Sequence, residues 1–160
     1  MSQLFQQVML DISSMLKKTY NAEAVSVVPG GGTFSMESVA RQFAKDNKCL
    51  VIQNGWFSYR WSQILEMGDI TSKVLVLKAQ PIEQTNQPSF APPPIESVVE
   101  AIRTEKPRVV FAPHVETSAG MILPDEYIKA VGLATHSVGG LFVERSKVRT
   151  SDRPKSVLQP

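Results

Sequence analysis

A chain of 160 residues with 42% hydrophobic and 20% charged residues fits one modest domain able to bury its own core. Its net charge of +2 is too small to imply a nucleic-acid binder, and no apolar run approaches the roughly 18 residues of a membrane span. The single cysteine, Cys49, excludes an internal disulfide, and two histidines beside one cysteine argue against a zinc site or any other bound metal. The N-terminus lacks the basic-then-apolar pattern of a signal peptide, so a cytoplasmic protein is expected.

Residues 3–19 predict an amphipathic helix. Leu4, Phe5, Val8, Met9, Ile12, Met15 and Leu16 recur at spacings of three and four. Ser2 can cap its start, Lys17 and Lys18 suit its C-terminal end, and Asn21 can stop it. The stripe is read as a packing face. An alternation follows. Residues 24–28 read as a strand, and 34–46 as a helix with Met36, Val39, Ala40 and Phe43 on one face. Residues 49–52 read as a second strand, 56–67 as a helix, and 74–77 as a third strand. Within the second strand Cys49 is expected as a buried thiol rather than a nucleophile. Residues 79–94, rich in Pro, Gln, Asn and Ser, read as a loop. Then come a helix at 95–104, a strand at 108–112, a helix at 124–135 and a strand beginning at 139–143. Short continuous apolar strands separated by helices indicate an α/β fold with a mainly parallel sheet sandwiched by helices. The last stretch, ERSKVRTSDRPKSVLQP (144–160), has few apolar residues and five basic ones. It is expected to be a disordered or loosely docked tail behind a domain of residues 1–143.

Between the first strand and the next helix stands PGGGTFSMES. A glycine-rich turn leaves backbone amides free at a helix N-terminus, where the dipole also favours an anion. Gly31, Gly32 and Thr33 could therefore hold a phosphate; taken by itself, the stretch reads first as a tight strand-to-helix turn. A Walker loop would need a lysine that does not follow, and a dinucleotide fingerprint would need a third glycine where Ser35 stands. Two further polar islands follow strands: NGWFSYRW at 54–61 and HVETSAG at 114–120. Ligands bind beyond the carboxyl ends of strands in open α/β sheets, so all three islands are expected at one edge. Each also has a plain structural reading. The aromatics can be helix packing, His114 a satisfied structural histidine, and Glu116 a turn or capping residue.

In that order, PGGGTFSMES, NGWFSYRW and PHVETSAGMILP, followed by GGLFV, resemble the class V aminotransferases of pyridoxal-phosphate (PLP) fold type I. That group includes the serine–pyruvate and alanine–glyoxylate enzymes. The resemblance covers residues 2–143 and implies part of the family's large domain. It implies that Gly31, Gly32 and Thr33 hold the cofactor phosphate, that Phe57 stacks on the pyridine ring, and that Thr117 lies near the cofactor's phenolic oxygen. His114 and Glu116 would support them from behind. It further implies amino transfer between alanine or serine and glyoxylate or pyruvate, and a homodimer. Departures accompany it. The family's ring-nitrogen acid falls at Arg145, with Glu144 one position away and so on the opposite strand face. No lysine matches the one that forms a Schiff base with the cofactor, and the small C-terminal domain is missing. A truncated product with impaired transaminase activity is the resulting expectation. Its rivals are a non-catalytic fragment that self-associates or pairs with a full-length relative, and a nucleotide-binding module.

Overall fold

The computed structural model describes residues 2–145; the expected tail beyond Arg145 lies outside the described residues. Helix α1 (Gln3–Tyr20) starts where the Ser2 hydroxyl accepts the Phe5 amide and ends at Asn21, which turns left-handed at φ 49. The stripe expected to pack is uncovered. No residue of α1 is buried: Leu4, Phe5 and Met15 of the stripe are 77%, 50% and 60% exposed, and Met9, Ile12 and Leu16 are half-buried. Residues 24–28, expected as a strand, pair with no strand among the described residues. Alternating valines favour an extended chain, but a strand also needs a neighbour's amides and carbonyls, and here Val27 stays 53% exposed.

From there the alternation holds. Helix α2 (Gly32–Phe43) leads to β1 (Cys49–Gln53), α3 (Trp56–Met67) and β2 (Val74–Lys78). The expected loop contains a small antiparallel hairpin, β3 (Gln80–Pro81) with β4 (Phe90–Ala91). Helix α4 (Ile95–Glu105), β5 (Val109–Pro113), a second hairpin of β6 (Val115–Glu116) and β7 (Met121–Ile122), α5 (Asp125–Ser137) and β8 (Leu141–Arg145) complete the described chain. Strand β8 thus runs through Glu144 and Arg145, past the boundary drawn at residue 143.

Strands β2, β1, β5 and β8 form one parallel sheet in that order. Side-chain alternation divides the core into two layers. Cys49, Val51, Val109 and Phe111 pack with Met36 and Ala40 of α2 and with Trp61 and Leu65 of α3. Leu50, Ile52, Val110 and Ala112 pack with Val98 and Ile102 of α4 and with Tyr127 and Val131 of α5. The two central strands are covered on both faces, which is why they read as unbroken apolar runs. Cys49 is fully buried, and burial pushes its thiol up to about 11, so it is a core residue and not a nucleophile.

The connections orient the helices. The Asp46 amide donates to the Ile70 carbonyl and the Thr71 hydroxyl to the Asn47 carbonyl, so the C-termini of α2 and α3 meet below the starts of β1 and β2. Helix α3 begins just past the end of β1. Helix α2, at 12 residues about 18 Å long, runs the length of a strand against the same layer. Both helices therefore begin at the carboxyl edge of the sheet.

Candidate functional site

At that edge the chain leaves β1 toward β2 on one side and β5 toward β8 on the other. Ligands settle in crevices of this kind in open α/β sheets. The loop after β1 and the β6–β7 hairpin after β5 meet there, and Glu116 joins them. It is 1% exposed. Its Oε1 accepts the Phe57 amide at 3.1 Å, and its Oε2 accepts the Ser58 amide and the Ser58 hydroxyl, each at 2.8 Å. The Ser118 hydroxyl donates to Oε1 and accepts the Trp56 amide at 2.9 Å. Ser58 Oγ in turn accepts the Asn54 and Gly55 amides at 2.8 and 3.0 Å. Every backbone amide from Asn54 to Ser58 is thereby satisfied, and a carboxylate sits on the positive end of α3. Burial acts most strongly on that carboxyl, raising its pKa. The bonds from Ser118, the Ser58 side chain, the Ser58 amide and the Phe57 amide together outweigh it, and the net pKa is lowered.

Gly55 makes this approach possible. Its backbone is extended, so conformation does not demand glycine. A Cβ there, however, would stand 2.6 Å from Ser118 Oγ and 2.8 Å from Glu116 Cγ. Gly55, Ser58 and Ser118 were not singled out from the sequence. Paired across 58–62 positions, they carry no local signature; the only hint was a glycine and a serine in one island and a glutamate and a serine in the other.

The expected site residues fall as follows. Phe57 is half-buried in the first turn of α3, its amide tied to Glu116. Thr117 is exposed in the hairpin turn between Glu116 and Ser118, so the two come together across the crevice. His114 is 7% exposed; its amide donates to the Arg145 carbonyl and its carbonyl accepts the Leu123 amide. Its Nδ1 is 3.8 Å from Glu144 Oε1, an ion pair when the imidazole is protonated. Gly31, Gly32 and Thr33 lie at the start of α2 on the same sheet edge, all exposed.

The glycines there differ from one another. Gly30 has φ +130, and a Cβ on it would lie 2.8 Å from the Phe34 ring; only glycine fits. Gly31 caps the helix at φ −77 and ψ 166, which any residue adopts. A Cβ on Gly31 or Gly32 would meet nothing within 4 Å. One glycine turns the corner, and the next two leave the helix entrance bare. Among the described residues no side chain caps it.

Among the described residues no three His, Cys, Asp or Glu side chains gather to hold a metal, and no helix is long and apolar enough to cross a membrane.

Neither a protein-family model nor a curated protein matches the sequence. Solved structures do match the fold. A ureidoglycine–glyoxylate aminotransferase from Bacillus subtilis superposes with a TM-score of 0.72 at 23% identity, over 88% of this chain and 34% of that one. An alanine–glyoxylate aminotransferase from Nostoc sp. gives 0.70 at 22%, over 89% and 35%. A PLP-bound C–S lyase from Staphylococcus hominis gives 0.58 at 13%, over 85% and 34%. The chain spans about a third of the length of each. At these identities the likeness establishes architecture: the described residues have the fold of one third of an aminotransferase chain.

Proposed function

We propose that this chain carries the phosphate-gripping and ring-gripping part of a PLP site of the class V aminotransferase type. Gly31, Gly32 and Thr33 would hold the cofactor phosphate, Phe57 would lie against the pyridine ring, and Thr117 would stand near the phenolic oxygen. Glu116 and His114 would fix Phe57 and the hairpin. The observation that carries this reading is the pair Gly31–Gly32. Glycine at a helix start costs stability relative to a better capping residue, and neither the backbone nor the packing requires it there. Close approach of a phosphate to bare amides does require it. The fold neighbours, one of them PLP-bound, support the same cofactor. When bound, PLP supplies an electron sink for the carbon bearing an amino group.

Amino transfer between alanine or serine and glyoxylate or pyruvate, in the cytoplasm, is the activity proposed for this type of site. It is impaired in this chain, where no lysine and no ring acid has been assigned. Titrating the full chain with PLP while following tryptophan emission tests the reading, since Trp56 and Trp61 flank Phe57 in sequence. Saturable quenching that inorganic phosphate competes away is expected. Binding of ATP or NAD with no response to PLP would transfer the glycine loop to a nucleotide.

A second reading concerns assembly. The uncovered apolar residues of α1, with Leu4, Phe5, Leu10 and Met15 at least half exposed, exceed what a solvated helix face needs and support self-association through that helix. Light scattering on the eluted protein should give a dimer; a monomer across the micromolar range would dismiss it.

A further inference from the structure

Asn54 is the one asparagine of the chain that precedes a glycine; Asn21, Asn47 and Asn86 precede Ala22, Lys48 and Gln87. An asparaginyl–glycyl pair is chemically labile. The glycine nitrogen, once it loses its proton, can attack the side-chain carbonyl carbon, and the lack of a side chain on glycine leaves that path open. Here the fold blocks the reaction in two ways. The Gly55 amide, which would be the nucleophile, donates to Ser58 Oγ at 3.0 Å, and Ser58 is fully buried and tied to Glu116. The Asn54 side chain, which would be the electrophile, is shut away from water. The residue is 4% exposed, and neither Oδ1 nor Nδ2 has a hydrogen-bond partner among the described residues. A buried carboxamide without partners is costly, so opening the first turn of α3 hydrates Asn54 and frees the Gly55 amide together.

We propose that Asn54–Gly55 is a gated deamidation site, held shut by Ser58 and Glu116, whose reaction keeps the first turn of α3 from closing again. The step needs no oxidant or reductant. The Gly55 nitrogen bonds to Asn54 Cγ. The bond from Cγ to the side-chain nitrogen breaks, and that nitrogen leaves as ammonia with the proton that the Gly55 amide gave up. Water then opens the cyclic imide at either carbonyl, giving an aspartyl residue or an isoaspartyl one whose main chain is one carbon longer. Neither product suits the closed turn. The first puts a carboxylate where no donor meets the side chain, in a turn that already holds Glu116. The second changes the spacing of the Asn54 and Gly55 amides that Ser58 Oγ accepts.

The test is peptide mapping by mass spectrometry of the full chain, incubated at neutral pH either folded or in denaturing urea. Position 54 should react at least about a hundredfold more slowly in the folded chain. Ser58→Ala, which removes the acceptor of the Gly55 amide, should react about tenfold or more faster than its parent while folded. A second arm needs no variant. Below the unfolding midpoint, added urea should raise the deamidation rate and the hydrogen exchange of the Gly55 amide together, since both wait for the same opening. Chain converted at position 54 should unfold at lower urea than unconverted chain. Equal rates folded and unfolded, no reaction in either, an unchanged rate in folded Ser58→Ala, deamidation that rises without Gly55 exchange, or converted chain as stable as its parent would each overturn the proposal. None of these readouts involves PLP, so the cofactor reading stands or falls separately.

Discussion

Helices α2 and α3 start at the same edge of the same sheet, pack in the same layer, and open on glycine. At α3 the chain closes the helix with its own groups: Glu116 and Ser118 accept the amides of Trp56, Phe57 and Ser58. At α2 no described residue closes it, and Gly31 caps the helix with no side chain at all. The physics of the two ends is identical, with orphan amides and a positive dipole. The difference is that one anion is built in and the other place is left bare. A filled end fixes geometry, here the first turn that bears Phe57. A bare end flanked by needless glycine is what an incoming anion requires.

The largest effect belongs to the filled end. Glu116→Ala would leave the half-buried Phe57 amide and the buried Ser58 amide without their acceptor. Leaving these amides unsatisfied should destabilise the fold by about 3 kcal/mol, read from urea unfolding. A loss under about 1 kcal/mol would mean that the network is not what holds α3. Next comes Gly55→Ala. Its methyl would press on Ser118 Oγ and Glu116 Cγ, and the overpacking should cost about 2 kcal/mol. It should also displace Phe57, so PLP quenching should fall with stability. An unchanged midpoint would show that the hairpin yields freely.

Acid should open the same end more gently, because a protonated Glu116 keeps part of its bonding. Its folded pKa is lowered from 4.5, so the stability it contributes is fully present above about pH 4.5, the unfolded value. That stability is lost as pH falls through the lowered folded value. The urea midpoint of the unaltered chain should therefore decline below that pH, and Glu116→Gln should flatten part of the decline. If both chains lose stability in parallel, other carboxylates carry the acid response.

The two ends also differed in what the sequence disclosed. The bare one was legible: three glycines after an apolar run announce a loop whose amides lack partners. The strands β1 and β5 were legible too, because burial on both faces writes continuous apolar runs such as Cys49–Ile52, and the half-buried edge strand β2 carries a similar run at 74–77. The filled end was not. Glu116 could be read as a turn or capping residue, but its bonds to Phe57 and Ser58 join places 58 and 59 residues apart, and no local period encodes such a contact. Residues 24–28 failed for the opposite reason. Their local pattern is sound, but pairing is decided by a partner, and none of the described strands lies beside them. Helix α1 is a third case, since its period foretells a helix while only the rest of an assembly decides what covers it.

The smallest change in stability should come from making α2 resemble α3. Gly31→Asp would place a carboxylate on the bare amides, as Glu116 does next door. The backbone at Gly31 tolerates any residue, and a Cβ there meets nothing within 4 Å. Aspartate caps a helix better than glycine by a few tenths of a kcal/mol, and its charge favours the dipole, so the fold should gain about 0.5 kcal/mol. The same carboxylate would spend the amides and repel a phosphate. PLP quenching should then fall by about tenfold or more in a chain more stable than its parent. That pairing separates a binding site from a structural turn, because damage to a turn lowers stability and binding together. If Gly31→Asp binds PLP as the parent does, Gly31–Thr33 only turn a corner and the phosphate site lies elsewhere.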